Sequence, residues 1–136
     1  MKKILLSGLF AGTALLVLSV IGLYLLLWRM PDMAMEYFGP AFISQTQRNV
    51  LYYVHPFVMG ICLSWLWERL KSSFKGSVFA RSLKFGLFYL TIATLPYMLL
   101  IYSAIDVSLP VVLTWLVFGF AEATVAAIIF NQQKGI

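Results

Sequence analysis

Charged residues, cysteine and histidine are all scarce in this 136-residue chain, and each shortage excludes a class of protein. Charged residues make up 11% of the chain, whereas a soluble domain usually carries about 25%. The single cysteine, Cys62, excludes an internal disulfide and a metal site built from cysteines alone. Because there is only one histidine, His55, a metal site with several imidazole ligands would need a second copy of the chain.

Catalytic sequence patterns are missing as well. The chain has no paired-histidine metalloprotease helix, no glycine-rich phosphate loop, no nucleophile elbow and no two-cysteine redox pair. Asp32 and Glu36 are four residues apart and share a helical face, but we interpret them as a solvated pair in a surface connection. The sequence therefore predicts a protein that is not an enzyme and that requires no cofactor.

Apolar residues are what the chain has in excess. They make up 62% of it, and the mean hydropathy is +0.91. A soluble domain is about 45–50% apolar, and a chain this short buries only about two thirds of its surface. Lipid is the solvent that accommodates the remainder. We therefore predict one membrane domain that comprises residues 1–136.

Four apolar runs have the length of about 17–25 residues that a membrane helix needs. They are roughly Ile4–Trp28, Val50–Trp67, Phe85–Ser103 and Pro110–Phe130. The first follows a basic start, but it is too long for the core of a secretory signal, which is about 7–15 residues. The predicted fold is an all-α integral membrane four-helix bundle.

Basic residues predict the orientation of this bundle. With the N-terminus inside, the inner side holds Lys2, Lys3, Lys134 and five residues between the second and third spans, which together are eight of the ten. Both termini are therefore predicted to be cytoplasmic, in a cell membrane that we expect to be a bacterial inner membrane. The five residues are expected to contact anionic lipid head groups rather than nucleic acid, and they are Arg69, Lys71, Lys75, Arg81 and Lys84.

The outer connection, residues 29–49, is the longest. Pro31 can start a helix there, and Gly39–Pro40 would end it. Because many of its side chains are apolar, we predict a short interfacial element on the membrane surface. Tyrosine and tryptophan favour such boundaries, and on this basis Trp67 is predicted at the inner one.

Glu122 is an acid in the middle of the fourth apolar run, and an ionisable residue inside a membrane is a candidate functional residue. In lipid its charged form is disfavoured, so we expect a protonated carboxyl that donates a hydrogen bond. Pro96 lacks an N–H and frees a carbonyl one turn earlier in the third span. The predicted partners at matching depth are this carbonyl and three threonines, Thr13, Thr91 and Thr94.

Small residues recur every four positions on the first and fourth spans. Such spacing lets membrane helices approach closely. The residues predicted to pack in this way are Gly8, Gly12, Gly119, Ala123 and Ala127. Because Glu122 borders the second of these stripes, we expect it to point into the bundle.

A third pattern consists of residues that can bind soft metal ions such as copper(I). His55, Met59 and Cys62 are spaced for one helical face of the second span, and Met30, Met33 and Met35 lie in the outer connection. The alternative is that methionine and cysteine are apolar filler and that His55 is a boundary residue. We favour that alternative and predict no metal site.

Two functions remain open. The first is a non-enzymatic small membrane protein that binds partners, either other membrane subunits or copies of itself. The alternative is a transporter for a small solute, a proton-coupled substrate or a copper-like metal ion, which uses Glu122. Solvent-accessible polar volume around Glu122 would favour the transporter, and a lipid-facing surface rich in small or aromatic residues would favour a partner interface.

Overall fold

The computed structural model describes residues 1–37 and 46–133, and this part of the chain contains helices and no strand. Four helices are long and apolar enough to cross a membrane: Lys2–Arg29, Val50–Leu70, Val78–Ala104 and Leu109–Gln132. The all-α class and the four candidate spans are therefore confirmed, while the orientation of the bundle stays a prediction. The predicted helix stop at Gly39–Pro40, and Lys134, lie outside the described residues.

The helices follow one another in a simple order. They are α1 (Lys2–Arg29), α2 (Pro31–Glu36), α3 (Thr46–Leu70), α4 (Val78–Tyr89), a π-helical turn (Leu90–Thr94), α5 (Leu95–Ala104) and α6 (Leu109–Gln132). The helix α4, the π-helical turn and α5 are continuous and together form the third span.

Proline marks the boundary between the first two helices. The residue before a proline avoids helical backbone angles, and Met30, which precedes Pro31, has φ −138° and ψ 63°. Pro31 then occupies the first turn of α2, where its missing N–H would have no partner in any case. The short helix predicted after residue 29 is present, and its position on a membrane surface stays a prediction.

The third span begins at Val78, seven residues before the predicted Phe85. Ser77 is its N-cap, and the Ser77 hydroxyl accepts a hydrogen bond from the Ala80 amide at 3.2 Å. Gly76 reverses the chain just before it with φ +119°, an angle that favours glycine. Hydropathy underestimates this helix because its first turns are amphipathic and carry basic residues.

The spans pack as antiparallel pairs. The helix α1 packs against α3 and against α6. The helix α6 also packs against α4, the first part of the third span. In contrast, α3 and the third span are not neighbours along their lengths. Gly8 and Gly12 of α1 lie directly against the backbone of Ile61 and Phe57 in α3. The bundle therefore has two ends: the terminus end, where α1 starts and α6 stops, and the α2 end, where α1 stops and α6 starts.

An aromatic cluster fills the terminus end. The Trp67 ring stacks on Phe74 with centroids 6.2 Å apart, and it meets Phe85 edge to face at 5.3 Å. Phe130 completes the cluster at 6.4 Å from Trp67. Trp67 is only 2% exposed, so its ring is enclosed by the protein, while its depth relative to a membrane boundary stays a prediction. The connection after α3 returns Phe74 over the ring, which encloses a side chain that would otherwise face the boundary.

Candidate functional site

A cavity of about 1130 Å³ lies in the α2-end half of the bundle. All four spans line it, and Tyr37, which follows α2, lies at its mouth. Most of its wall is apolar or aromatic, with a few polar groups among them. Concave sites of this composition and size are where proteins hold small molecules.

The cavity exists because α3 and the third span diverge. At its floor they meet through side chains, where the Tyr89 hydroxyl donates to the Met59 sulfur at 3.2 Å. The aromatic cluster closes the bundle between this contact and the terminus end. The Tyr89–Met59 contact and the aromatic cluster therefore lie between the cavity and the terminus end.

Glu122 lines the deepest part of the cavity and is 8% exposed. It follows the start of α6, Leu109, by thirteen residues, or about 20 Å at 1.5 Å per residue. The Ser19 hydroxyl of α1 donates a hydrogen bond to the Glu122 carboxyl at 3.4 Å, the long limit for such a bond. Among the described residues, the basic side chain that forms an ion pair is Lys71, and its partner is Glu68. No described cation therefore lies within ion-pair distance of Glu122.

The three threonines predicted as partners of Glu122 have different positions. Thr13 and Thr91 are exposed, and their hydroxyls donate to backbone carbonyls of their own helices, at 3.1 Å and 2.9 Å. Thr94 is 8% exposed and lies in the cavity wall. Its hydroxyl oxygen has no hydrogen-bond partner among the described residues. Thr94 is thus the predicted threonine that the fold brings to the site.

Pro96 explains the local geometry around Thr94. The preceding turn, Leu90–Thr94, is π-helical, and the Leu95 amide donates to the carbonyl of Leu90. A wider turn of this kind accommodates a proline, which cannot donate in the regular helical pattern, and such turns recur at functional sites. The prediction located the irregularity correctly at Pro96 but expected a bend stabilised by Glu122, and the hydrogen bond to Glu122 comes from Ser19 instead.

Thr94 and Glu122 are held close together by Gly119. On α6, Gly119 precedes Glu122 by three residues and shares its face. A Cβ at Gly119 would lie 2.8 Å from the Thr94 methyl and 2.9 Å from its hydroxyl oxygen. Glycine is therefore needed for the third span to approach α6 at this level. Ala123 and Ala127, which continue the stripe, are fully buried.

The metal candidates do not converge on one point. His55, Met59 and Met30 line the cavity at different levels of the wall. Cys62 is exposed and does not line it, so the predicted common face of α3 is divided. In the described part of the chain no three residues of the types His, Cys, Asp and Glu are grouped to hold a metal ion. Met35 is exposed and Met33 partly so.

The five basic residues predicted to meet lipid all lie at the terminus end. Lys71 pairs with Glu68 at 2.6 Å, and Lys84 donates to the carbonyl of Lys75 at 2.9 Å. The guanidinium groups lie over tryptophan rings, Arg69 over Trp65 at 5.2 Å and Arg81 over Trp67 at 5.3 Å. Their contact with lipid head groups stays a prediction.

Glu36, interpreted from the sequence as part of a solvated pair, instead connects α2 to α6. Its carboxylate accepts hydrogen bonds from the Ser108 amide at 2.6 Å and from the Ser108 hydroxyl at 2.7 Å. These bonds lower the pKa of Glu36 below 4.5, the hydroxyl contributing most. A negative charge there also suits the N-terminus of α6. The contact fixes α2 beside the cavity mouth.

Tyr37 follows Glu36 and forms part of that mouth. Its ring meets Trp115 edge to face with centroids 5.9 Å apart. Burial raises the pKa of Tyr37, and hydrogen bonds with Thr114 and Trp115 oppose the shift.

Ser19 and the cavity tyrosines were not among the predicted site residues. Ser19 continues the stripe of Gly8, Gly12 and Leu15 at helical spacing, and this signal would have distinguished it from Thr13, which lies off the stripe. Tyr52, Tyr89 and Tyr97 also line the cavity, and no local pattern identifies them, because their position depends on the divergence of α3 from the third span.

Comparison with models of protein families, with curated proteins and with solved structures finds no match to this chain.

Proposed function

We propose that this chain is a non-enzymatic membrane transporter for a small solute, which binds in the cavity at Glu122. The observation that carries the proposal is a buried carboxyl with one long hydrogen bond at the floor of a cavity of about 1130 Å³. A group with this little hydrogen bonding is costly to bury unless a ligand or water satisfies it. Intramembrane acids that line cavities are characteristic of solute pathways.

The packing of the small residues favours this function over partner binding. Gly8 and Gly12 are used against α3, and Gly119, Ala123 and Ala127 are used inside the bundle. Neither stripe remains free to bind a second membrane protein. Association with other subunits or with copies of the chain stays a prediction.

The predicted orientation gives the site a direction. With both termini cytoplasmic, the cavity opens to the outside of the cell membrane and its floor faces inward. The layer that closes it consists of the Tyr89–Met59 contact and the aromatic cluster around Trp67. Transport requires this layer to open while the α2 end closes.

The proposal is tested by calorimetric titration of the protein in nanodiscs with four benzyl probes. The probes are benzylguanidine, benzyltrimethylammonium, benzyl alcohol and phenylacetate, and the heat of binding to empty nanodiscs is subtracted. We expect saturable binding of at least one probe with one site per chain. Counterflow of the radiolabelled probe that binds, in proteoliposomes, then measures transport.

Two tryptophan substitutions separate the cavity from the lipid-facing surface. Ala93 and Leu113 line the cavity, and Ala93→Trp or Leu113→Trp is expected to abolish binding. Leu100 is exposed and does not line it, so Leu100→Trp is the matched control and should bind like the wild type. Absence of saturable binding for all four probes, or binding that survives both cavity variants, would contradict the proposal. Binding without counterflow would contradict transport.

A further inference from the structure

We propose that the solute is an organic cation with N–H donors, such as a guanidinium or protonated amine, which binds Glu122 and Thr94 together and displaces the proton of Glu122. This inference rests on the proposed function and specifies its substrate class. It is supported by the ionisable carboxyl at the cavity floor, by an acceptor near it that has no partner among the described residues, and by the aromatic wall.

The carboxyl of Glu122 sets the charge of the ligand. An ionised carboxylate is stable in such a place only beside a cation, and no described residue supplies one within ion-pair distance. In the empty cavity the carboxyl therefore keeps its proton. When a cation arrives, Glu122 loses the proton to water at the cavity mouth and pairs with the ligand. One cation binds beside Glu122 for each proton that leaves the carboxyl, so the net charge at the cavity floor stays zero.

Thr94 sets the requirement for N–H donors. Its hydroxyl oxygen is buried and has no partner among the residues that the structure describes, although buried hydroxyls are nearly always hydrogen-bonded. It lies against Gly119, which is one helical turn from Glu122 on α6: a Cβ at Gly119 would be 2.8 Å from the Thr94 methyl and 2.9 Å from its hydroxyl oxygen. A guanidinium has several donors in one plane, so one ligand can donate to the Glu122 carboxylate and, once the Thr94 side chain rotates toward the cavity, to the Thr94 hydroxyl.

The wall suits a flat cation with an apolar body. Tyr52, Tyr89, Tyr97 and Phe118 line the cavity from three different spans. Aromatic faces attract cations, and arginine-like groups also stack on them. The volume of about 1130 Å³ accommodates a ligand of drug size.

Other titratable groups around the cavity do not supply a competing site. They are Arg29 from α1, Tyr37 after α2, Tyr52 and His55 from α3, and Tyr89 and Tyr97 from the third span. Arg29 is the one that repels a cation. It follows Ser19 by ten residues, about 15 Å along α1, and its guanidinium lies over the Trp28 ring at 5.3 Å. At this distance, and at the mouth, its charge is screened by water and dissolved salt.

The four benzyl probes differ only in the head group, and this allows the inference to fail separately from the proposed function. We expect benzylguanidine to bind most tightly, benzyltrimethylammonium more weakly because it has no N–H donor, and phenylacetate not at all. Titration in buffers of different ionisation enthalpy should show about one proton released per benzylguanidine bound.

Two substitutions test the two contacts. Glu122→Gln is expected to weaken benzylguanidine binding at least about a hundredfold and to abolish proton release, since it removes the charge partner. Thr94→Val should weaken binding about tenfold, because a ligand donor loses its acceptor. Thr91→Val is the matched control. The Thr91 hydroxyl already donates to the Leu87 carbonyl and lies outside this cavity, so binding should not change.

Each outcome distinguishes the two proposals. If benzyl alcohol binds as tightly as benzylguanidine and Glu122→Gln leaves binding unchanged, the cavity holds a neutral solute, and the inference about cations is wrong while the proposed function stands. Preferred binding of phenylacetate would assign the site to Arg29 and would also overturn the inference. If no probe binds, both proposals fail.

Discussion

Gly60 lies where α3 crosses α1, and replacing it tests whether the pair is in direct backbone contact. A Cβ at Gly60 would lie 2.7 Å from the amide nitrogen of Gly12 and closer still to the carbonyl oxygen of Gly8. Ordinary contact begins at 3.4 Å. Because the opposing atoms belong to the backbone, no side-chain rotation can relieve the overlap, and the helices must separate.

The expected effect of Gly60→Ala follows from two opposing terms. Overpacking costs about 1–3 kcal/mol, and alanine restores about 1 kcal/mol of helix propensity relative to glycine. Because the overlap is with backbone atoms, we take the upper end of the overpacking cost, so the net loss in the free energy of unfolding is about 2 kcal/mol. Gly119→Ala serves as a graded control, since its neighbours are side-chain atoms of Thr94, which can rotate at a cost of about 0.5–1.5 kcal/mol.

Reversible unfolding in mixed detergent micelles measures both variants against the wild type. We expect Gly60→Ala to be the less stable of the two. A Gly60→Ala protein as stable as the wild type would show that α1 and α3 do not touch through their glycines, and the packing described for the bundle would be wrong.

Two further predictions concern the ends of the bundle. Because the folded-state pKa of Glu36 is lowered, its contribution to stability is present above pH 4.5 and is lost as the pH falls through the folded value. Thermal unfolding of Glu36→Gln should therefore depend less on pH in this range than that of the wild type, and parallel pH profiles would exclude the contact with Ser108. At the terminus end, Phe85→Ala should lower the free energy of unfolding by up to about 3 kcal/mol. This is the low end of the range for a buried phenylalanine, because lipid already solvates the apolar side chains of the unfolded helix. Leu87→Ala, at an exposed position, is the control. If the two variants lose the same stability within error, Phe85 is not buried in the aromatic cluster.

The four spans could be predicted from the sequence because length and hydropathy are local properties. Hydropathy does not show that the helix of the third span begins at Val78, because the stretch before Phe85 is amphipathic and its basic residues resemble a loop. The signal that corrects this is also local: Ser77 after Gly76 is a capping pattern. The enclosure of Trp67 by Phe74 is not visible in the sequence either, because it depends on how the connection after α3 folds back.

The site was less predictable than the spans. Glu122 and Thr94 stand out as polar residues in apolar helices, and the fold places both in one cavity wall. Ser19 was missed because Thr13 matched the estimated depth, whereas the helical face decides which residue reaches Glu122. The cavity itself depends on which spans pack together, and that information is not contained in any single stretch of the chain. Tertiary packing therefore had to be known before the aromatic wall could be recognised.

Accessibility of position 122 from the α2 end tests the central claim most directly. In a Cys62→Ser background, Glu122→Cys and Val17→Cys are treated with a small, water-soluble methanethiosulfonate. Val17 is near Ser19 in α1 but is exposed on the outer surface of the bundle, so it is the matched lipid-facing control. We expect rapid modification of the Glu122→Cys variant, slowed by Ala93→Trp, and no modification of the Val17→Cys variant. An unreactive Glu122→Cys variant in a folded protein would contradict a cavity that reaches this residue.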